Sequence, residues 1–123
     1  MQLSVQIFLE NDDEYVFDPK RRELLLAIDD LGSIRKATRK LKMSYRWAWG
    51  SIKDAEKKLG VALLERTEQP MAGRPKMLTP AARDLLSWFV MAEKDIGGAL
   101  INSAKDLPGF LKKCPTDPLK MVK

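Results

Sequence analysis

The sequence predicts a mostly α fold with small β elements: four helices, the last one long, with a β-hairpin before the first and another before the last. Three observations predict it. Capping side chains stand at four places, Asp18, Ser33, Ser44 and Thr79, and prolines follow two of them at Pro19 and Pro80. Glycines close two of the segments so begun, Gly32 and Gly60. Between these marks apolar residues recur at steps of three and four, whereas a rough alternation is confined to the N-terminus.

The elements follow in order. Residues 2–9, QLSVQIFL, place Leu3, Val5, Ile7 and Leu9 on one side and Gln2, Ser4, Gln6 and Phe8 on the other, which predicts a strand. Asn11-Asp-Asp-Glu14 reads as a turn and Tyr15-Val-Phe17 as a short return strand. Leu24, Leu25, Ile28 and Leu31 predict a first helix over about 19–31. Ser33 starts a short second helix with Ile34, Ala37 and Leu41 inward and Arg35, Lys36, Arg39 and Lys40 around the rest. A tight break at Lys42-Met43 follows. Ser44 then caps a third helix that runs to Leu59 with Ala48, Ile52, Ala55 and Leu59 inward. Val61–Thr67 suits a strand, 68–75 a loop with two prolines and a glycine, and Lys76–Leu78 a return strand. From Thr79-Pro80 a helix extends to about Ala104, with a stripe of Ala82, Leu85, Phe89, Ala92, Ile96 and Ala99. Leu86, Val90 and Ile101 widen that stripe beyond what a small domain covers. Gly97-Gly98 predicts either a kink or a close helix contact there. Pro108, Pro115 and Pro118 predict an irregular tail over 106–123, behind a domain spanning 1–105.

Composition removes several classes of function. The 123 residues contain no histidine, which excludes Ser-His or Cys-His catalysis and the usual zinc sites. There is no glycine-rich phosphate loop, no cofactor is expected, and the chain does not read as an enzyme. Asp12, Asp13 and Glu14 are adjacent acids in a turn, a pattern that suits a solvated loop better than a metal site. Apolar runs stop at five residues, far short of the roughly 20 that span a membrane. No secretory signal opens the chain, and the single Cys114 reads as a free thiol, so a cytoplasmic location is expected.

Charge is more informative. The net charge is +5, but it is unevenly spread. Before residue 20 there are five acids and no base. From Ser33 to Lys53 there are seven bases (Arg35, Lys36, Arg39, Lys40, Lys42, Arg46 and Lys53) and no acid. Such a block repels itself unless an anion neutralises it, and double-stranded DNA is the expected partner.

A short helix, a tight turn, a second helix and a hairpin make a winged helix-turn-helix, in which the second helix of the pair enters the major groove. The candidate DNA-binding residues are then Ser33, Arg35, Ser44, Tyr45, Arg46, Trp47, Trp49, Gly50 and Lys53, with Arg74 and Lys76 from the wing. Arg46, Trp47, Trp49, Gly50 and Lys53 fall off the core stripe of the third helix. Trp47 and Trp49 suit either a thymine methyl or a core edge. Tyr45 suits a phosphate or a staple at the helix entry. Gly50 suits either a close approach to DNA or tight helix packing, since glycine costs a helix about 1 kcal/mol relative to alanine. Gly73-Arg74-Pro75 matches the core of a minor-groove hook, in which proline holds the backbone extended. The rival reading is a protein–protein interaction module, or a non-specific architectural DNA binder, on the same scaffold.

Asp18-Pro-Lys-Arg-Arg22, Gly32-Ser-Ile34, Ser44-Tyr-Arg46, Ala48-Trp49, Leu64-Glu-Arg66 and Leu78-Thr79 together resemble the N-terminal DNA-binding domain of the ModE family of molybdate-responsive transcriptional regulators. That domain is itself similar to the LysR-type winged helix, and the resemblance covers about residues 2–105. It implies a DNA-binding homodimer on a palindrome, paired through the long helix (about 79–104), the first helix and the N-terminal strands. The residues expected at that interface are Leu24, Leu86, Phe89, Val90, Ile96 and Leu100. The family's C-terminal oxyanion-binding domains have no counterpart in these residues, so molybdate is not an expected ligand. The family often has glycine where Lys42 stands, and a left-handed lysine costs on the order of 1 kcal/mol, so a slightly different turn is expected.

Overall fold

Four side chains begin four helices in a computed structural model of the chain, which describes residues 2–66 and 76–112. Helix α1 is Pro19–Leu31, α2 Ile34–Leu41, α3 Tyr45–Leu59 and α4 Pro80–Ala104. Asp18 accepts the backbone N–H of Arg21, Ser33 that of Lys36, Ser44 that of Trp47 and Thr79 that of Ala82, at 2.8–3.2 Å. Each bond satisfies an orphan donor of a first turn, so the predicted starts coincide with the observed ones. Gly32 and Gly60 close α1 and α3 at φ of 73°, where a side chain would be strained.

The β elements are shorter than predicted. Strand β1 is Leu9–Asn11 and β2 is Glu14–Phe17, antiparallel, with a register irregularity at Leu9/Glu10. Asp12 and Asp13 alone form the turn, at φ of 51° and 64°, the backbone of a two-residue hairpin loop. Asn11 and Glu14, expected in the turn, are therefore its last pair. Because β2 has only four residues, residues 2–8 find no ladder partner among the described residues and are not a strand. Leu3, Val5 and Phe8 are exposed, and only Ile7 and Leu9 of the segment pack on the core. Alternation reports which faces differ; it does not supply the neighbouring strand that makes the hydrogen bonds.

The core lies where α1, α2, α3 and α4 converge. Leu24, Leu25 and Ile28 of α1 meet Ile34 and Ala37 of α2, Ala48, Ile52 and Ala55 of α3, and Ala82, Leu86 and Phe89 of α4. Phe17 of β2 packs edge-on to Phe89, with ring centroids 4.9 Å apart at 88°. Ion pairs brace the periphery. Arg22 reaches Glu93 at 3.0 Å and Arg83 reaches Asp29 at 3.0 Å, both joining α1 to α4.

The wing grows from a hydrogen-bonded root. Strands β3 (Leu64–Arg66) and β4 (Lys76–Leu78) pair antiparallel, Leu64 opposite Leu78 and Arg66 opposite Lys76. Val61 to Leu63, expected in the first strand, precede it. Leu63 is instead buried, and its N–H donates to the Glu56 carboxylate at 2.7 Å. Thr79 donates its hydroxyl to the Ala62 carbonyl at 2.7 Å and its N–H to the Leu63 carbonyl at 3.0 Å while capping α4. One threonine thus joins the wing root to the last helix. The predicted loop at 68–75 lies outside the described residues, as does Cys114.

Helix α4 runs unbroken through Gly97 and Gly98, where an added Cβ would meet nothing within 4 Å, so no close contact among the described residues accounts for them. The tail is not wholly irregular. Gly109–Lys112 form a short helix, α5, after Pro108, whose carbonyl accepts the N–H of Leu111 at 3.0 Å.

A charged cluster ties α3 to what lies behind it. Arg21 donates to the Val16 carbonyl at 2.6 Å and to Asp54 at 3.1 Å; Lys58 reaches Asp54 at 3.0 Å and donates to the Tyr15 carbonyl at 3.0 Å. The hydrogen bond from Lys58 holds the Asp54 carboxyl below its ordinary value, aided by Arg21 and opposed by desolvation. A depressed carboxyl stabilises the fold above the unfolded carboxylate pKa, about 3.9, and that contribution is lost as pH falls through the folded value. Asp54→Asn is therefore expected to unfold at lower urea than the parent at neutral pH, and the two midpoints should converge in acid. A gap that persists unchanged at about pH 2.5, below the ordinary carboxylate range, would show that the charge is not the cause.

Candidate nucleic-acid interface

Helix α2 ends in a left-handed residue that is not glycine. Lys42 has φ 54° and ψ 44°, and the N–H groups of Lys42 and Met43 donate to the carbonyls of Arg39 and Thr38 at 3.3 and 3.0 Å. The turn therefore keeps its left-handed geometry despite the lysine, with the hydrogen bonds of the helix end and the packing of Met43 on the core offsetting the strain. This turn sets α3 against α2.

Ala48, Ser51, Ile52 and Ala55 turn α3 inward, each no more than 6% exposed. The opposite face carries Arg46, Trp49, Gly50 and Lys53, all exposed, at i, i+3, i+4 and i+7. Tyr45 stands exposed at the helix entry beside Ser44. On α2, Arg35, Lys36, Arg39 and Lys40 are exposed. Lys40 pairs with Asp30 at 3.5 Å and Lys53 with Glu56 at 3.3 Å; among the described residues Arg35, Lys36, Arg39 and Arg46 have no carboxylate within ion-pair distance. The surface is thus cationic, with four of these six charges uncompensated among the described residues.

Each aromatic ring at the start of α3 has a cation beside it. The Arg35 guanidinium stands 4.6 Å from the Tyr45 ring, Lys53 Nζ 4.8 Å from that of Trp49, and Lys20 Nζ 4.0 Å from that of Trp47. The arrangement lets a ring restrain a flexible cation and keep it on this face. It also accounts for the mixture of rings and bases within residues 42–53.

The two tryptophans separate. Trp49 lies on the outward face, 38% exposed. Trp47, expected off the core stripe, is half-buried and packs against the core. It shares an i, i+4 row with the buried Ser51 and Ala55, which points its ring toward α1 and Lys20. For Gly50, one of the two open roles loses support: an added Cβ would meet nothing within 4 Å, so packing among the described residues does not require glycine there.

Ser33 serves as the cap of α2. Lys76 opens β4 opposite Arg66, and its side chain is not among those described; Arg74 lies outside the described residues. Of the residues expected at a subunit interface, Leu24, Leu86 and Phe89 are committed to the chain's own core at 0, 7 and 0% exposure, which leaves a partner almost nothing to touch. Val90 and Ile96 are exposed and Leu100 is half-buried. Leu100 lines a shallow hollow with Gln2, Leu3, Gly97, Ile101 and Ala104. Sequence reasoning missed Lys20, Glu56 and Thr79 as supports of this surface. Lys20 stands 27 positions from the ring that it covers, and nothing local signals that contact.

Known proteins share this arrangement. The family model of bacterial regulatory helix-turn-helix proteins, lysR family, matches residues 20–83. The transcriptional regulator ModE of Haemophilus influenzae is 36% identical over 77 residues, 63% of this chain and 30% of its own length. The molybdenum-pterin-binding protein MopB of Rhodobacter capsulatus is 29% identical over 104 residues, 85% of this chain and 36% of its own. The chain therefore spans about a third of the length of these relatives. A solved CbnR_DBD–DNA complex has the same fold, with a TM-score of 0.56 and 23% identity over 71% of this chain and 94% of that one.

Proposed function

The chain belongs to the lysR family of bacterial regulatory helix-turn-helix proteins, and we propose that it regulates transcription in the cytoplasm by binding a palindromic duplex DNA as a homodimer. The observation that carries this reading is the cationic surface of α2 and the outward face of α3, built from a stretch (33–53) that contains no acid, with Arg46, Trp49, Gly50 and Lys53 in one row. Helix α3 enters the major groove. Ser44 and Tyr45 at its start meet phosphate through the helix N-terminus, while Ser33 and Arg35 hold the backbone beside α2. Arg74 and Lys76 extend the contact through the wing to the neighbouring minor groove. Val90, Ile96 and Leu100 of α4 pair the two copies. No catalytic step and no oxyanion ligand form part of this reading.

Fluorescence anisotropy of the full chain on its own upstream DNA and on scrambled duplex, each across a salt series, tests it. Neutralising several phosphates should give a log–log slope of about −0.9 per contact, with tighter binding to the upstream site. Equal affinity for both duplexes at a steep slope would indicate an architectural binder. No binding at low salt would shift weight to protein interaction, which the exposed Trp88, Met91, Ile101 and Phe110 of α4 and α5 favour. Sedimentation at micromolar concentration should show twice the monomer mass; a monomer would remove the pairing.

A further inference from the structure

Gly50 has no role that the fold itself explains. It sits in the middle of α3, where glycine weakens a helix, and an added Cβ would meet no atom of the described residues within 4 Å. Nothing among the described residues requires the missing Cβ, so the open space beside it is available to a partner. Its neighbour Trp49 is the large apolar ring on the same outward face, and Lys53 Nζ stands 4.8 Å from that ring, restraining the indole. A bare patch of helix next to a flat, rigid apolar ring suits an apolar bump on the partner better than a hydrogen-bonding edge. In the major groove the one such bump is the C5-methyl of thymine.

We propose that Trp49 reads a thymine methyl in the major groove, and that Gly50 lets the helix come close enough for the ring to reach it. The inference rests on α3 entering the major groove as proposed above. It adds a base and an atom of that base. Arg46 and Lys53, three residues before Trp49 and four after it, supply charge to the flanking positions, so the methyl contact sits within an electrostatic frame.

The test begins with duplexes selected from a random pool by the full-length protein. Each thymine of the selected site is then replaced in turn by deoxyuridine, which removes only the methyl. Replacing one thymine in each half-site should cost about three- to tenfold in affinity, as expected for the loss of one buried methyl. Trp49→Ala should bind the thymine and uracil duplexes equally, and Gly50→Ala should bind the selected duplex more weakly while melting at a higher temperature than the parent. The inference is overturned if no thymine is methyl-sensitive with the parent protein, a measurement that needs no variant. It is also overturned if Trp49→Ala keeps the parent's methyl dependence. A pool that yields no preferred duplex would be a different result: it removes sequence-specific binding itself, and the methyl contact with it.

Discussion

Phe89→Ala is expected to lower the free energy of unfolding by about 3–5 kcal/mol. Phe89 is fully buried on α4 and meets Phe17 edge-to-face, so truncation removes the largest side chain by which α4 holds the hairpin and α1. The surrounding helices are braced by the Arg22–Glu93 and Arg83–Asp29 pairs and cannot collapse freely into the space. Domains of this size are stable by only about 5–15 kcal/mol, so the loss is a large fraction of the whole. Urea unfolding followed by circular dichroism, at one fixed protein concentration, measures it. Val90→Ala, one residue along but exposed, should cost the folded chain far less. A Phe89→Ala cost below about 1 kcal/mol would be incompatible with the burial described here.

Arg46→Ala is expected to weaken binding to the preferred duplex by about 1–3 kcal/mol, roughly fivefold to 150-fold, with the unfolding midpoint unchanged. Arg46 is exposed near the start of α3 and, among the described residues, makes no ion pair that the fold would miss. The accompanying salt dependence separates two roles. Loss of a phosphate contact lowers affinity for all sequences and reduces the slope by about one unit; loss of a guanine contact relaxes preference at one position. Arg46→Lys sharpens the distinction, since lysine replaces a point charge on phosphate but not a two-pronged contact to a base. If neither variant changes affinity for any duplex, α3 does not lie in the groove as proposed.

The helices were legible because their limits are written in adjacent residues. Asp18, Ser33, Ser44 and Thr79 each bond a backbone N–H three residues on, and Gly32 and Gly60 each supply a left-handed stop. Such signals act within one turn and need no knowledge of the rest of the chain. The basic block from 33 to 53 was legible for the same reason: once α2 and α3 are placed, their inward residues leave the charges outside.

Local sequence by itself therefore determined the order and ends of α1 to α4, the place of the turn that joins α2 to α3, and the sign of the surface they present. Tertiary structure decided everything that depends on a distant partner. Residues 2–8 alternate like a strand, yet join no ladder among the described residues, because β2 is four residues long. Trp47 and Trp49 are both indoles two positions apart, and only the arrival of α1 with Lys20 draws one to the core edge while the other faces out. The stripe of α4 announced an apolar partner without saying which: Leu86 and Phe89 meet the chain's own core, whereas Val90 and Ile96 do not. Hydrophobic burial is non-directional, so a pattern of apolar residues states that a face must be covered. What covers it is chosen by which surfaces the folded chain brings within reach.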